Sequence, residues 1–231
     1  MKRIACLSLG FLLALPLMAN AQEKEQDRVK ESGQVLRDIL ESPDKGIPHD
    51  LMDKAECVVV YPSVKKAAFV VGGSYGRGVM TCRTGANFQG PWSAPTMMAL
   101  EGASFGFQIG GQATDFVLLI MNEKGAKSVL SSKVKIGADA SAAAGPVGRN
   151  ASAETDIVLK AEILSWSRAQ GLFAGISLSG STMRPDDGAN KNLYGKDLTA
   201  QDIVYKHEVK APPSASVLLA ELRKISPKRK L

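Results

Sequence analysis

The chain has 231 residues, 45% hydrophobic, 23% charged and 6% aromatic, with a formal net charge of +6. These proportions suit a chain that buries a core and exclude a disordered or collagen-like polymer. Two histidines and three cysteines are too few for a zinc-finger or ribbon framework. Outside the N-terminal segment, no apolar run approaches the ~20 residues of a membrane-spanning helix.

The N-terminus reads as a secretory leader. Met1-Lys2-Arg3 is positive, Ile4 to Leu17 is apolar, and Ala19-Asn20-Ala21 places small residues before a cleavage point after Ala21. Cys6 precedes the apolar stretch instead of following it, which argues against a lipid anchor. The expected product is a periplasmic chain, Gln22 to Leu231, in an oxidising compartment. Its 27 basic and 23 acidic groups leave +4. Residues 57–100 carry Lys65, Lys66, Arg77 and Arg83 without a single acid, and residues 211–231 are also net +4. Two basic stretches point to a polyanion-facing surface, against the plainer reading that exposed lysines merely solubilise.

In chain order, Val29, Leu36 and Leu40 share one face of a helix predicted over 24–41, with Val35 and Ile39 beside them. Ser42-Pro43-Asp44 stops it. Pro48 opens a second, short helix with Leu51, Met52 and Ala55 on its apolar side. From Cys57 the pattern becomes that of strands: 57–61, 67–71, and 78–82 after a glycine-rich bend. Strands are also predicted over 104–111, 115–121, 133–144 and 171–180. A period of two runs through Ile157, Leu159, Ala161 and Ile163, where a helix stays open as an alternative. Asn122 to Ser131 reads as a helix, and Thr199-Ala-Gln-Asp202 as a capping box. Ser214 to Ile225 forms an amphipathic helix with Leu218, Leu222 and Ile225 aligned. The expected class is α+β: a mostly antiparallel β core, sandwich- or barrel-like, with N-terminal helices and a C-terminal amphipathic helix. Residues 22–225 make one domain, and 226–231 a basic tail.

Three motifs invite chemistry. Gly72-Gly-Ser-Tyr-Gly-Arg-Gly78 fits neither phosphate-binding glycine pattern, and strands flank it, so it reads as a hairpin. Gly102-Ala-Ser104-Phe-Gly106 is a literal G-x-S-x-G, with His207 downstream. The elbow needs a helix after the serine, whereas Phe105 to Gly111 alternates like a strand. A serine hydrolase is therefore not expected, nor are catalytic residues, a cofactor or a metal. Cys57 and Cys82, 25 residues apart, are the cysteines left after export. They are expected to form a structural disulfide worth about 3 kcal/mol. Trp92, in a loop with Pro91 and Pro95, packs as a plug or sits at a membrane interface.

Taken together, an ordered string of motifs resembles the SYLF domain family. It comprises Tyr61-Pro-Ser-Val-Lys-Lys66, the glycine segment to Gly78, Trp92-Ser-Ala-Pro95, Ser104-Phe-Gly-Phe-Gln-Ile-Gly110 and Asp115 to Asn122. Ile136 to Ser141, Ala144 to Arg149, Gly171 to Gly180, Asn190 to Gly195 and Asp202-Ile203 follow, so the similarity covers roughly residues 30–222. The resemblance implies a β-rich core with helices and a non-enzymatic lipid-binding domain. In eukaryotic relatives it implies phosphoinositide binding and, in some, actin binding. Combined with export, it points to anionic phospholipid headgroups or lipopolysaccharide as ligand, held by Lys65, Lys66, Arg77 and Arg83. Phosphoinositide binding in vitro would follow from the same chemistry. Nucleic acid is not expected as a partner, and export argues against actin. The alternative is an envelope structural or protein-interaction module without lipid specificity.

Overall fold

The structure, a computed structural model, describes residues 7–42, 46–68, 71–105, 112–148, 160–169 and 172–227. The first helix, α1, spans Leu7–Glu41, and a short α2 spans His49–Lys54 behind Pro48. The strands are β1 (Cys57–Ala68), β2 (Val71–Cys82), β3 (Thr96–Phe105), β4 (Gln112–Ile120), β5 (Val134–Lys135) and β6 (Ala142–Ala144). They continue with β7 (Ile163–Ala169), β8 (Leu172–Gly175) and β9 (Thr182–Pro185). Helix α3 (Glu123–Ser131) lies between β4 and β5, and α4 (Asp187–Tyr194), α5 (Ala200–Val204) and α6 (Ser216–Ile225) follow β9.

The nine strands among the described residues form one sheet in the order β5-β9-β3-β2-β1-β4-β7-β6, with β8 paired to β7. Among the described strand pairs, only β6–β7 is parallel. The class is therefore α+β, with the sheet curled into a half-barrel. Both faces of its centre are covered. On β1, Val58 and Val60 pack among Leu36, Ile39, Met52 and Leu222 from α1, α2 and α6. The alternating Val59 and Tyr61 pack on the opposite face with Met98, Phe116, Val129 of α3 and Val204 of α5. A strand buried on both sides reads as a continuous apolar run, as Cys57 to Tyr61 does. The predicted apolar faces of α1, α2 and α6 are the buried ones, and the Cys57–Cys82 disulfide is present across the directly opposed ends of β1 and β2. Trp92 is buried as a plug.

The structure departs from the sequence reading at the hairpin. The break predicted after Tyr61 is a β-bulge inside a single strand, with register shifts around Pro62 and Ser63. The glycine-rich segment is not the bend but the body of β2. A Cβ at Gly76 would sit 2.4 Å from a Val64 methyl, and one at Gly78 would sit 2.0 Å from the Val60 carbonyl oxygen. These glycines let the bulged strand cross its partner closely. The strand predicted over 133–144 is two short pieces joined by a turn at Gly137 (φ 86°). Strand β9 and helix α4 had no prediction, and the period-two reading through Ala161 and Ile163 reaches only the first residue of β7, while the expected periodicity at 106–111 and 157–159 lies outside the described residues.

Candidate functional site

Between α1 and the β1–β2 ladder lies an open hollow of about 430 Å³. Lys24, Arg28 and Glu31 wall it from the helix, and Lys65, Tyr75 and Arg77 from the strands. Helical spacing buries Glu25 and Val29, four residues apart, and leaves Lys24 outside. On the sheet, the bulge resets the alternation so that Val64 is buried while Ser63 and Lys65 are exposed. Ser63 holds a left-handed backbone (φ 53°), and its N–H donates to Asp115 Oδ1 at 2.8 Å. Asp115 also accepts from Arg168 Nε at 2.7 Å, and Arg168 pairs with Asp38 of α1. One guanidinium thus pins the bulge to the helix.

Beneath the hollow, Arg77 Nε stands 2.9 Å from both Tyr75 Oη and Asp186 Oδ2. Its Nη1 is 3.6 Å from Glu25 Oε1, and Arg28 pairs with the same Glu25. Both carboxylates are buried, Glu25 at 1% exposure and Asp186 at 6%. Buried carboxylates require such cations, so the arginines have a structural reason to be here. Asp186 also caps α4, accepting from the Ala189 N–H at 3.2 Å. Burial, and then the neighbouring Arg77 charge, pull the Arg28 guanidinium below its ordinary value. The outcome is two arginines backed by buried anions, rimmed by exposed Lys24, Lys65 and Tyr75.

The structure brings Lys65 and Arg77 together and places Arg83 elsewhere. Arg83 is 1% exposed, and its guanidinium lies 4.6 Å over the Trp92 ring. It donates to the carbonyls of Pro227 at 2.9 Å and Ser226 at 3.2 Å, and to Ser226 Oγ. Trp92 Nε1 donates to the same Ser226 carbonyl at 2.9 Å, and Ser226 Oγ donates to the Met52 carbonyl at 3.1 Å. A cation at the C-terminus of α6 satisfies carbonyls that the helix leaves open. Lys66 pairs along the backbone with Ser74 and Gln112 in β1, and its side chain lies outside the described residues. Ser104 is inside β3, paired with Gly72, whereas a nucleophile elbow requires a strand-to-helix turn. Among the described residues, no three His, Cys, Asp or Glu side chains converge to hold a metal.

The sequence reasoning passed over Tyr75, Glu25, Arg28 and Asp186. Only the helix period could have flagged the first helical pair, since an acid at 25 falls on the apolar face with Val29.

A family model described as "Ysc84: Las17-binding protein actin regulator" matches residues 101–225. The chain belongs to the Ysc84 (SYLF) family. It is 32% identical over 204 residues to protein YSC84 of Saccharomyces cerevisiae, covering 84% of this chain and 42% of that one. With the rat SH3 domain-containing YSC84-like protein 1, identity is 30%, over 88% of this chain and 60% of the relative. The yeast LAS seventeen-binding protein 3 is 32% identical over 78% of this chain and 39% of its own length. The chain thus spans less than two thirds of these relatives. The names correct the partner expectation. The family description and a yeast relative name proteins, Las17 and actin, where the sequence pointed to anionic lipid and set actin aside.

Proposed function

We propose that this chain is an exported, non-enzymatic protein-interaction module of the Ysc84 family. What carries the reading is the family description, which names an actin regulator and a binder of another protein. The arrangement of charge supports it. Arg83 is sealed inside the fold, Arg77 and Arg28 are backed by buried carboxylates, and α1 carries Glu23, Asp27 and Glu31 among its basic residues. A flat anionic surface meets repulsion from those acids as well as attraction from Lys24 and Lys65. Export rests on the leader pattern at residues 1–21 and suits the disulfide between Cys57 and Cys82. The non-enzymatic reading rests on Ser104 lying within a strand.

Co-sedimentation tests the reading, with actin filaments as the probe because the family description names actin. The finer reading of the sequence, headgroup recognition, is the opposing arm, probed by phosphatidylglycerol-containing vesicles. The chain is expected to pellet with filaments and stay in solution with vesicles. Pelleting with vesicles alone, or with neither, contradicts the proposal.

A further inference from the structure

We infer that the hollow between α1 and the β1–β2 ladder docks an acidic segment of a protein partner. This deepens the protein-interaction reading and rests on it. Four cationic side chains, Lys24, Arg28, Lys65 and Arg77, open into the hollow against one lining acid, Glu31. The arginines are oriented by what lies behind them. Glu25 and Asp186 hold Arg77 from the buried side, and Tyr75 Oη accepts from its Nε at 2.9 Å. A guanidinium fixed this way loses little freedom when a carboxylate arrives, and its planar fork matches carboxylate geometry.

The exposed rim adds an anchor. Tyr75 is 46% exposed and stands opposite Lys65 in the strand register. Tyrosine and arginine dominate the energetics of protein interfaces, because each offers a large contact area together with a polar handle. The concave shape selects among anions. A hollow of about 430 Å³ admits one or two side chains of a peptide. The flanking acids Glu23, Asp27 and Glu31 on α1 would oppose a continuous anionic sheet. Aspartate or glutamate side chains entering between Lys24 and Lys65 meet cations on both sides, with Glu31 as the one acid in the lining, and stay clear of Glu23 and Asp27.

The test is fluorescence anisotropy of the purified chain with a labelled Glu- and Asp-rich decapeptide. A Gln- and Asn-rich control and phosphatidylglycerol vesicles are measured alongside. The acidic peptide is expected to bind, the control not to, and the affinity to fall as salt rises. Lys24→Glu/Lys65→Glu is expected to weaken binding by about tenfold or more, through lost attraction and added repulsion. Tyr75→Ala is expected to weaken it by about fivefold through the lost anchor. All three side chains are exposed, so circular dichroism and thermal unfolding should match the unmodified chain. Equal affinity of the charge-reversed variant for the acidic peptide overturns the inference, as does binding of vesicles in preference to peptide. If the charge-reversed variant still pellets with actin filaments, the hollow is not the docking site although the protein-interaction reading stands. If the unmodified chain pellets with no filaments, that reading itself fails.

Discussion

Arg77 and Arg83 come from one short run of sequence and have opposite surroundings. Arg83 is sealed beneath Trp92 and clamps the end of α6 to the start of the sheet. Arg77 lies at the floor of an open hollow, with buried carboxylates behind it and solvent in front. Lys65, beside it, is anchored only by its strand and points outward. Positive charge in a sequence is therefore not one property. A guanidinium sealed inside the fold contributes to stability, and one with an open face contributes to recognition.

Substitutions should separate these roles in order of burial. Arg83→Ala takes the guanidinium donors away from the Pro227 carbonyl and from the Ser226 carbonyl and Oγ, and removes the stack on Trp92. Urea unfolding is expected to show a loss of about 4 kcal/mol. Next comes the covalent tie beside it. Cys57→Ala/Cys82→Ala is expected to lower stability by about 3 kcal/mol in the same measurement, as release of a loop of this length implies. Arg77→Gln, half-open to water, is expected to lose about 2 kcal/mol because Glu25 and Asp186 lose a counter-charge. Lys65→Ala, fully on the rim, should change stability by less than about 0.5 kcal/mol. A loss at Lys65 as large as that at Arg83 would break the distinction.

The smallest effect belongs to the pair Asp202–Lys206 at the surface of α5. Hydrogen bonds from Lys206 Nζ at 2.6 Å and from Thr199 hold the Asp202 carboxyl down to about 2. A carboxyl held lower in the folded chain than in the unfolded one stabilises the fold once ionised. Its contribution is therefore complete above the ordinary value of 3.8 and fades as pH falls towards about 2. Acid titration of stability in Asp202→Asn should lack that slope, and the same contribution, small because the pair is exposed, should be missing at neutral pH.

The contrast also marks what the sequence could reveal. Local signals were legible. The apolar stripes of α1 and α6, Pro48 opening α2 and the Thr199–Asp202 capping box all depend on neighbours within a few residues. The disulfide was legible from the cysteine count together with the leader-like pattern at residues 1–21. Arg83 was not, because Ser226 lies 143 residues away and nothing near Arg83 announces it. Helix α4 was missed for the same reason. Its Gly188, Asn190 and Asn192 are poor helix formers. The helix is held instead by buried Asn190, whose Oδ1 accepts from the Met97 N–H at 2.7 Å and whose Nδ2 donates to Thr96 Oγ1 at 3.0 Å. At β7, the buried Trp166 packs against Gly145, where a Cβ would lie 2.0 Å from the indole, again a contact between distant segments. The hollow was half-legible: Lys65 and Arg77 stood out as charge, while the buried acids that orient Arg77 come from α1 and the start of α4.

On this reading the open cations recognise protein and the sealed Arg83 does not take part. Filament co-sedimentation of the unmodified chain beside Lys24→Glu/Lys65→Glu, with anionic vesicles in parallel, tests it most directly. The unmodified chain is expected to pellet with filaments, the charge-reversed variant to stay in solution, and vesicles to pellet neither. Vesicles pelleting the unmodified chain while filaments leave it in solution would contradict it.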